Sequence, residues 1–205
     1  VADVRLLRVH VRMKNIIKAL FVAALLLASP PAMAADDRLE GTPVIERLEA
    51  AALAPGKVHR FWFRVTENAV GQPWLIPVIV VRGARPGPRL LLTAAIHGDE
   101  VAGVDVIHKL ADGLDPAALS GTVVAVPGLN SIGMLHRSRG FTPGDGRYSE
   151  NLNRLMPGMD GDVGIADHYA RRLWTALLRP NADAVIDLHT QSHGTAYVMF
   201  AFAGN

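Results

Sequence analysis

Residues 89–100 read RLLLTAAIHGDE, an apolar run that ends in a histidine, a glycine and two acidic residues. The run at residues 89–96 is continuous rather than alternating, which is typical of a strand covered on both faces of a sheet. Gly98 permits a sharp turn after the run, so that the side chains of His97 and Glu100 can converge on one point. The segment therefore predicts a buried strand whose end presents a pair of possible metal ligands.

The segments around this strand alternate between strand and helix patterns. Period-two alternation or continuous apolar runs indicate strands, and apolar positions repeated about every 3.6 residues indicate helices. By these patterns we predict strands at residues 58–66, 74–83, 89–96, 121–130, 182–190 and 195–203, and helices at residues 99–113 and 163–180. Such an order is typical of an α/β fold with a mixed, mainly parallel sheet and flanking helices.

The connection between the second and third of these strands is short. Residues 82–89, RGARPGPR, are rich in glycine and proline, which favours a tight turn over a crossover through a helix. We therefore expect the strands at residues 74–83 and 89–96 to be antiparallel neighbours in the sheet.

The beginning of the chain carries the pattern of a secretory signal. Residues 13–34 place Lys14 and Lys18 before an apolar run at residues 19–28, and they end in Ala-Met-Ala, which a signal peptidase can cleave. The run is shorter than the roughly 20 residues of a bilayer span, so a retained membrane anchor is the weaker interpretation. We expect residues 1–12 to be a mis-assigned start, residues 13–34 to be a signal peptide, and the protein to be periplasmic or secreted.

The composition of residues 35–205 limits the metal ligands and the partners that we can expect. The chain has no cysteine, so any metal ligand must be histidine, aspartate or glutamate. Its formal charge is +2, but five basic residues and one acid lie in residues 1–34, which leaves 16 basic and 18 acidic residues in the rest. The charge therefore gives no reason to expect a nucleic-acid partner. We also expect no membrane contact after removal of the signal.

Three polar clusters follow predicted strands, where α/β sheets bind their ligands. They contain His97 with Glu100, His189 at the end of a strand, and the loop at residues 136–158. Two histidines and one carboxylate, with a fourth position for water, are the ligands of catalytic zinc enzymes. Each cluster alone is common by chance, and a strand-end histidine is more often a hydrogen-bonded core residue. Together they predict a zinc site, with Asp187 placed to accept the other N–H of His189.

Three motifs occur in the order of a known family: HGDE at residues 97–100, NLNRLMPG at residues 151–158 and DLHT at residues 187–190. In this order they resemble the zinc carboxypeptidase superfamily, and the closest branch is the succinylglutamate desuccinylase/aspartoacylase group. The resemblance implies a zinc-carboxypeptidase-like (phosphorylase/hydrolase-like) fold. It also implies one zinc ion per chain, held by His97, Glu100 and His189.

The resemblance further implies roles for the polar loop. In this family an asparagine–arginine pair binds the substrate carboxylate, which implies that role for Asn153 and Arg154. The family also places an arginine upstream in the loop to polarise the scissile carbonyl. We assign this catalytic role to Arg139, with Arg137 and Arg147 as the alternatives. An arginine fork suits both tasks, because it forms two parallel charge-assisted hydrogen bonds.

The chain departs from the family pattern at three points. Asn151 stands where the motif usually has aspartate, with loss of a charge that helps to orient the arginine, and Met156 stands where it usually has phenylalanine. The family's general base is a glutamate on a later strand, but no acidic residue follows His189 here. We therefore expect residues 35–205 to be the N-terminal part of a zinc-dependent hydrolase domain, as a fragment or a natural truncation. His193 is the only nearby substitute for the base, and we interpret it as a loop residue.

These observations predict a zinc-dependent hydrolase that cleaves an amide bond next to a carboxylate, with an N-acyl amino acid as substrate. A zinc carboxypeptidase that acts on peptides or cell-wall peptides is the first alternative, because it shares this apparatus. A truncated, non-catalytic module that binds metal or carboxylate is the second. The sequence contains neither the G-x-S-x-G motif of serine hydrolases nor a glycine-rich phosphate loop.

Overall fold

The structure is a computed structural model, and it describes residues 37–142, 150–161, 164–192 and 199–203. The residues interpreted as a mis-assigned start and a signal peptide lie outside the described part, and so do Arg147 and His193. No helix among the described residues has both the length and the apolar character needed to cross a bilayer.

Seven strands form one sheet, in the order β1-β2-β3-β4-β6-β5-β7. They are β1 (Arg38–Leu39), β2 (Thr42–Ile45), β3 (Lys57–Glu67), β4 (Pro73–Arg82), β5 (Arg85–Ala94), β6 (Ser120–Val126) and β7 (Ala184–Leu188). β5 lies between β6 and β7 and is parallel to both, and β2 is parallel to β3, whereas the other three pairs are antiparallel. The mixed α/β sheet expected from the sequence is therefore confirmed, and two of its three parallel pairs involve β5.

Helices follow the strands on both faces of this sheet. The α-helices are α1 (Ala102–Gly113), α2 (Ser131–His136), α3 (Leu152–Leu155) and α4 (Ile165–Leu173), and a 3-10 turn occupies Ala50–Ala52. The helix predicted at residues 163–180 is α-helical only in α4, and it continues as π-helix at Trp174–Leu178 and as a 3-10 turn at Arg179–Asn181. Pro180 has no backbone N–H, so the regular hydrogen bonding of a helix ends there, as predicted.

The expectation that β4 and β5 are antiparallel neighbours is wrong, because β6 lies between them. β6 is buried along almost its whole length, so its backbone N–H and C=O groups must pair with a neighbouring strand on each side. The connection from β4 to β5 crosses the start of β6, where the amide of Gly83 donates to the carbonyl of Gly121 at 2.9 Å. A Cβ at Gly83 would overlap the carbonyl oxygen of Leu119, so glycine is what permits this crossing.

The strand predicted at residues 195–203 is not formed over residues 199–203, and residues 195–198 lie outside the described part. The side chains of Met199 and Phe202 are 100% and 92% exposed, so this stretch packs against no described strand. Apolar composition favours a strand only where a neighbouring strand and a packed face are present. Over residues 199–203 the prediction is therefore wrong, because no strand of the described part lies beside them.

β5 buries side chains on both of its faces. Leu91 belongs to a core cluster that includes Phe63 and Tyr169, the latter from α4. The next residue, Leu92, belongs to a separate cluster that includes Ile107 from α1. Successive side chains of a strand point to opposite faces, so the sheet is covered on both sides at β5. The apolar run of β5 is therefore continuous because both faces of the strand are covered, as the sequence predicted.

The chain turns sharply after β5 and packs against α2. The amide of Asn130 donates to the carbonyl of Ala95 at 3.0 Å, which fastens this turn to the segment after β6. Gly98 approaches α2 so closely that a Cβ would overlap the carbonyl carbon of Gly133. The obstacle is backbone rather than a flexible side chain, so the position of the turn depends on glycine.

Replacing Gly98 with alanine should destabilise the fold, because α2 must move to admit the methyl group. Overpacking of this kind costs about 1–3 kcal/mol, and we expect the free energy of unfolding in urea to fall by that amount. Gly113→Ala is the matched control, because Gly113 ends α1 with open space around it. Alanine there should raise the free energy of unfolding by up to about 1 kcal/mol. Equal stability of the two variants would contradict this packing.

Candidate metal centre

Parallel neighbouring strands end on the same side of a sheet. Because β5 and β7 are such neighbours, the residues that follow them lie together at the carboxyl ends of the strands: His97, Glu100 and His189. β5 and β7 are paired in parallel, with Ala94 opposite Leu188, so the residues after both strands emerge side by side. One ligand atom from each of the three side chains lies within 4.8 Å of the others. The structure thus brings together the three residues that the sequence predicted as metal ligands.

Both imidazole rings turn the same nitrogen toward the carboxylate of Glu100. Nδ1 of His97 lies 2.9 Å from Oε1, and Nδ1 of His189 lies 2.9 Å from Oε2. The opposite nitrogens face other acceptors. Nε2 of His97 is 3.2 Å from Oδ1 of Asn151, and Nε2 of His189 is 2.7 Å from Oδ2 of Asp187. The two Nδ1 atoms and the Glu100 carboxylate are therefore the donor atoms that a cation would share.

The surroundings of His189 fit a cation at this point. Each of its ring nitrogens faces a carboxylate, so without a cation the ring satisfies both only by carrying two protons. A cation would replace the proton on Nδ1, while Asp187 keeps the proton on Nε2 and fixes the tautomer. The hydrogen bond to Asp187 raises the pKa of His189, although burial opposes this rise. Two imidazole nitrogens and one carboxylate are donors that suit zinc.

The carboxylate of Glu100 is the buried centre of the cluster, with 2% of the residue exposed. Oε1 also accepts a hydrogen bond from Nη1 of Arg139 at 2.6 Å, and Oε2 accepts one from the amide of Thr190 at 3.0 Å. Burial by itself raises the pKa of Glu100, but its hydrogen bonds and the charge of His97 outweigh that effect and hold the pKa below its usual value. Burial lowers the pKa of His97, which favours the neutral ring that a metal requires.

Asp187 and Thr93 form a second layer of hydrogen bonds behind His189. Oγ1 of Thr93 donates to Oδ1 of Asp187 at 2.7 Å, and the two residues are paired across β5 and β7. The sequence predicted Asp187 in this position but missed Thr93. Thr93 is the only uncharged polar residue in the run at residues 89–96, and that exception to an apolar pattern is the signal that could have found it.

Asn151 links the metal ligands to the loop that follows them. Its Oδ1 accepts from Nε2 of His97 at 3.2 Å and from the amide of Asn153 at 3.0 Å, which caps α3. The sequence motif predicts for Asn151 only the loss of a charge near Arg154. Its contact with His97 was missed, because residues 54 positions apart show no pattern that reveals a hydrogen bond.

Arg139 is the loop arginine that reaches the cluster. Its Nη1 donates to Oε1 of Glu100 at 2.6 Å and to the hydroxyl of Ser192 at 2.8 Å. Arg137 is exposed at the left-handed C-terminal cap of α2, and Arg147 lies outside the described residues. Of the two described candidates, Arg139 is the one that contacts a predicted metal ligand.

α3 carries the residues that the sequence predicted to bind a substrate carboxylate. Asn153 is partly buried, and Arg154 is exposed with Nη1 3.2 Å from the carbonyl oxygen of Asn153. Among the described residues this is the one polar contact of the Arg154 guanidinium, so most of its N–H groups are open to a ligand. Asn151 connects this helix to His97, which places the predicted carboxylate site beside the metal centre.

At the carboxyl ends of its strands, the mixed sheet thus gathers two histidines and a glutamate that could hold a metal ion. The chain belongs to the succinylglutamate desuccinylase/aspartoacylase family, because the model of that family's catalytic domain matches residues 86–204. The matched range contains every residue of the candidate centre, from His97 to His189.

Individual relatives agree with this membership. The chain is 38% identical over 130 residues to the N-alpha-acetyl-L-2,4-diaminobutyric acid deacetylase of Halomonas elongata, over 62% of this chain and 35% of that protein. A solved aspartoacylase family protein from Mesorhizobium loti is 33% identical with a TM-score of 0.55, over 66% of this chain and 41% of that one. The product-bound ectoine utilization protein EutE of Ruegeria pomeroyi is 29% identical with a TM-score of 0.52, over 65% and 41%. The chain therefore spans 35% to 41% of the length of these relatives.

Asn151 should influence the affinity of the candidate centre for a metal ion, with zinc as the probe, through its hydrogen bond to His97. Replacing partners of this kind changes metal affinity about 10–100-fold. Asn151→Ala should therefore weaken zinc binding at least about tenfold, as measured by competition with a chromophoric chelator. Asn151→Asp should strengthen zinc binding, because a carboxylate makes the imidazole of His97 a better donor.

Two further variants separate this effect from the capping of α3. Serine also caps helices but is too short to reach His97, so Asn151→Ser should match Asn151→Ala in zinc affinity. Asn68→Ala changes a turn between β3 and β4 and should bind zinc like the unchanged protein. Equal zinc affinities of the alanine and aspartate variants of Asn151 would contradict its role.

Zinc binding should weaken as the pH falls, because a proton competes for Nδ1 of His189. The hydrogen bond to Asp187 raises the pKa of His189, so this competition extends to higher pH than for an ordinary histidine. Asp187→Asn should shift the loss of zinc to lower pH and weaken zinc binding at alkaline pH about tenfold. Zinc titrations from about pH 5 to 8 measure both effects. If zinc binding by Asp187→Asn followed the same pH profile as zinc binding by the unchanged protein, the effect of Asp187 on His189 would be contradicted.

Proposed function

We propose that His97, Glu100 and His189 hold one zinc ion and that the complete protein hydrolyses the amide bond of a small N-acyl amino acid. The observation that carries this proposal is the convergence of two Nδ1 atoms on one buried carboxylate, within 4.8 Å of one another. Three protein ligands leave one position of a tetrahedral ion open, which is the arrangement of catalytic rather than structural zinc.

The chain's own groups supply orientation and charge for this reaction. When bound, zinc polarises a carbonyl oxygen and lowers the pKa of a coordinated water to about 7. Arg139 donates a hydrogen bond to Glu100, and in this proposal its guanidinium stabilises negative charge on the oxygen of the scissile amide. Arg154 and Asn153 hold the carboxylate of the amino acid, through a guanidinium fork and an amide donor.

The relatives favour a small substrate over a peptide. The Halomonas protein is named as the deacetylase of an N-acetylated diamino acid, and we extend the class of N-acyl amino acids, rather than that compound, to this chain. Removal of a C-terminal residue from a peptide would use the same groups, so it is the alternative that an assay must separate. The signal pattern at residues 13–34 supports export, which would place the activity in the periplasm or outside the cell.

The purified chain should bind one zinc ion, as measured by elemental analysis after dialysis. His97→Ala and Glu100→Gln each remove a ligand, so both should lose the metal. His108→Ala is the matched control, because His108 is exposed on α1, and it should retain zinc. Background zinc in the unchanged chain, or full zinc in Glu100→Gln, would contradict the proposed ligands.

Hydrolysis assays on the zinc-loaded complete protein should then separate the substrate classes. We expect release of acetate from N-acetyl amino acids and no removal of C-terminal residues from unblocked peptides. Arg154→Met should raise KM more than it changes kcat, whereas Arg139→Met should lower kcat. Cleavage of peptides alone would identify a carboxypeptidase, and zinc binding without any hydrolysis would identify a non-catalytic module.

A further inference from the structure

A second group of cationic side chains lies at the end of the sheet opposite to the metal centre. A cavity of about 440 Å³ opens there, where β4 ends and β5 and β6 begin. Its lining contains no acidic residue and has three arginines: Arg82, Arg85 and Arg89. The strand from Arg89 to Ala94 alone spans about 16 Å, and the metal centre lies beyond it. A small ligand in this cavity therefore does not touch the metal centre.

Arg89 is already neutralised. Its Nη2 and Nε donate to the two carboxylate oxygens of Asp183 at 2.5 and 3.0 Å, and its Nη1 donates to the carbonyl of Pro180 at 2.5 Å. These contacts tie the start of β5 to the residues before β7. Arg89 is thus a structural part of the cavity wall, and its charge is not available to a ligand.

Arg82 and Arg85 have no carboxylate partner among the described residues. Nη1 of Arg82 donates to the carbonyl of Ala50 at 2.8 Å, and its Nε is buried without a hydrogen-bond partner. Nε of Arg85 donates to the hydroxyl of Ser120 at 2.8 Å, and its Nη2 donates to the carbonyl of Ala118. These contacts use a minority of the five N–H groups of each guanidinium, and they hold both groups in place without neutralising them. Two positive charges therefore line one cavity, and neither is paired with a carboxylate of the described residues.

We propose that this cavity binds a small oxyanion, through a phosphate or carboxylate group held between Arg82 and Arg85. Guanidinium forks match both groups, because each presents two acceptor oxygens to parallel N–H donors. The volume lies in the range of small-molecule sites, so the anion belongs to a small metabolite or to free phosphate. The site is independent of the proposed hydrolysis, since it shares no residue with the metal centre or with α3.

Isothermal titration of the full chain, freed of zinc by a chelator, tests this proposal with two probes, inorganic phosphate and succinate. At least one probe should bind saturably with one site per chain, and the stronger probe identifies the preferred group. Arg82→Met and Arg85→Met should each weaken that binding at least about tenfold. Arg60→Met, at an exposed pair with Asp112, should bind like the unchanged chain.

Three outcomes of this titration would each overturn the proposal. Saturable binding of neither probe would show that the two arginines are only structural. Binding retained by both Arg82→Met and Arg85→Met would place the anion elsewhere. Binding lost in Arg154→Met, but kept in the two cavity variants, would assign it to the carboxylate site on α3. If Arg82→Met fails to fold, because its contact with Ala50 is lost, Arg85→Met and Arg85→Lys carry the test, and the lysine variant should keep part of the affinity.

Discussion

The candidate centre depends on the buried carboxylate of Glu100 and on the four hydrogen bonds that it accepts. Glu100 is almost completely buried, and it remains charged because hydrogen bonds and charge from His97, Arg139, His189 and Thr190 outweigh the cost of burial. Without such partners a buried carboxylate shifts its pKa upward and becomes neutral. The donors come from the turn after β5, the segment after α2 and the end of β7. Glu100 therefore fixes these three segments relative to one another as well as offering a ligand.

The topology of the sheet explains why these segments meet. β5 has a parallel neighbour on each side, so the carboxyl ends of β5, β6 and β7 lie together. Ligands of such sheets bind at these ends. Two glycines make this arrangement possible: Gly83 lets the chain cross the start of β6, and Gly98 lets the turn with the ligands approach α2. At the opposite end of the sheet, where β5 and β6 begin, arginine side chains line a cavity. The parallel strands β5 and β6 thus have the candidate metal centre beyond their carboxyl ends and an arginine-lined cavity at their amino ends.

Local pattern was enough to predict most strands and the three residues that meet at the candidate centre, because buried runs, helical spacing and a strand-end H-x-x-E turn are all properties of short segments. The order of the strands was not predictable in the same way. The insertion of β6 between β4 and β5 depends on its need for two neighbours, and the glycine that allows the crossing looks like any turn residue. Thr93 and Asn151 were missed as partners because their contacts join residues far apart in sequence. Hydrogen bonds behind a metal ligand follow from the fold, and motifs show only the ligands themselves.

We propose that the imidazoles of His97 and His189 and the carboxylate of Glu100 share a single zinc ion. X-ray absorption spectroscopy at the zinc edge of the loaded chain tests this most directly, because it reports the type and distance of each ligand. We predict two imidazole nitrogens at about 2.0–2.1 Å from the zinc ion and a carboxylate oxygen at about 2.0–2.2 Å, with one imidazole fewer in His189→Ala. A spectrum without imidazole scattering, or one that His189→Ala leaves unchanged, would contradict it.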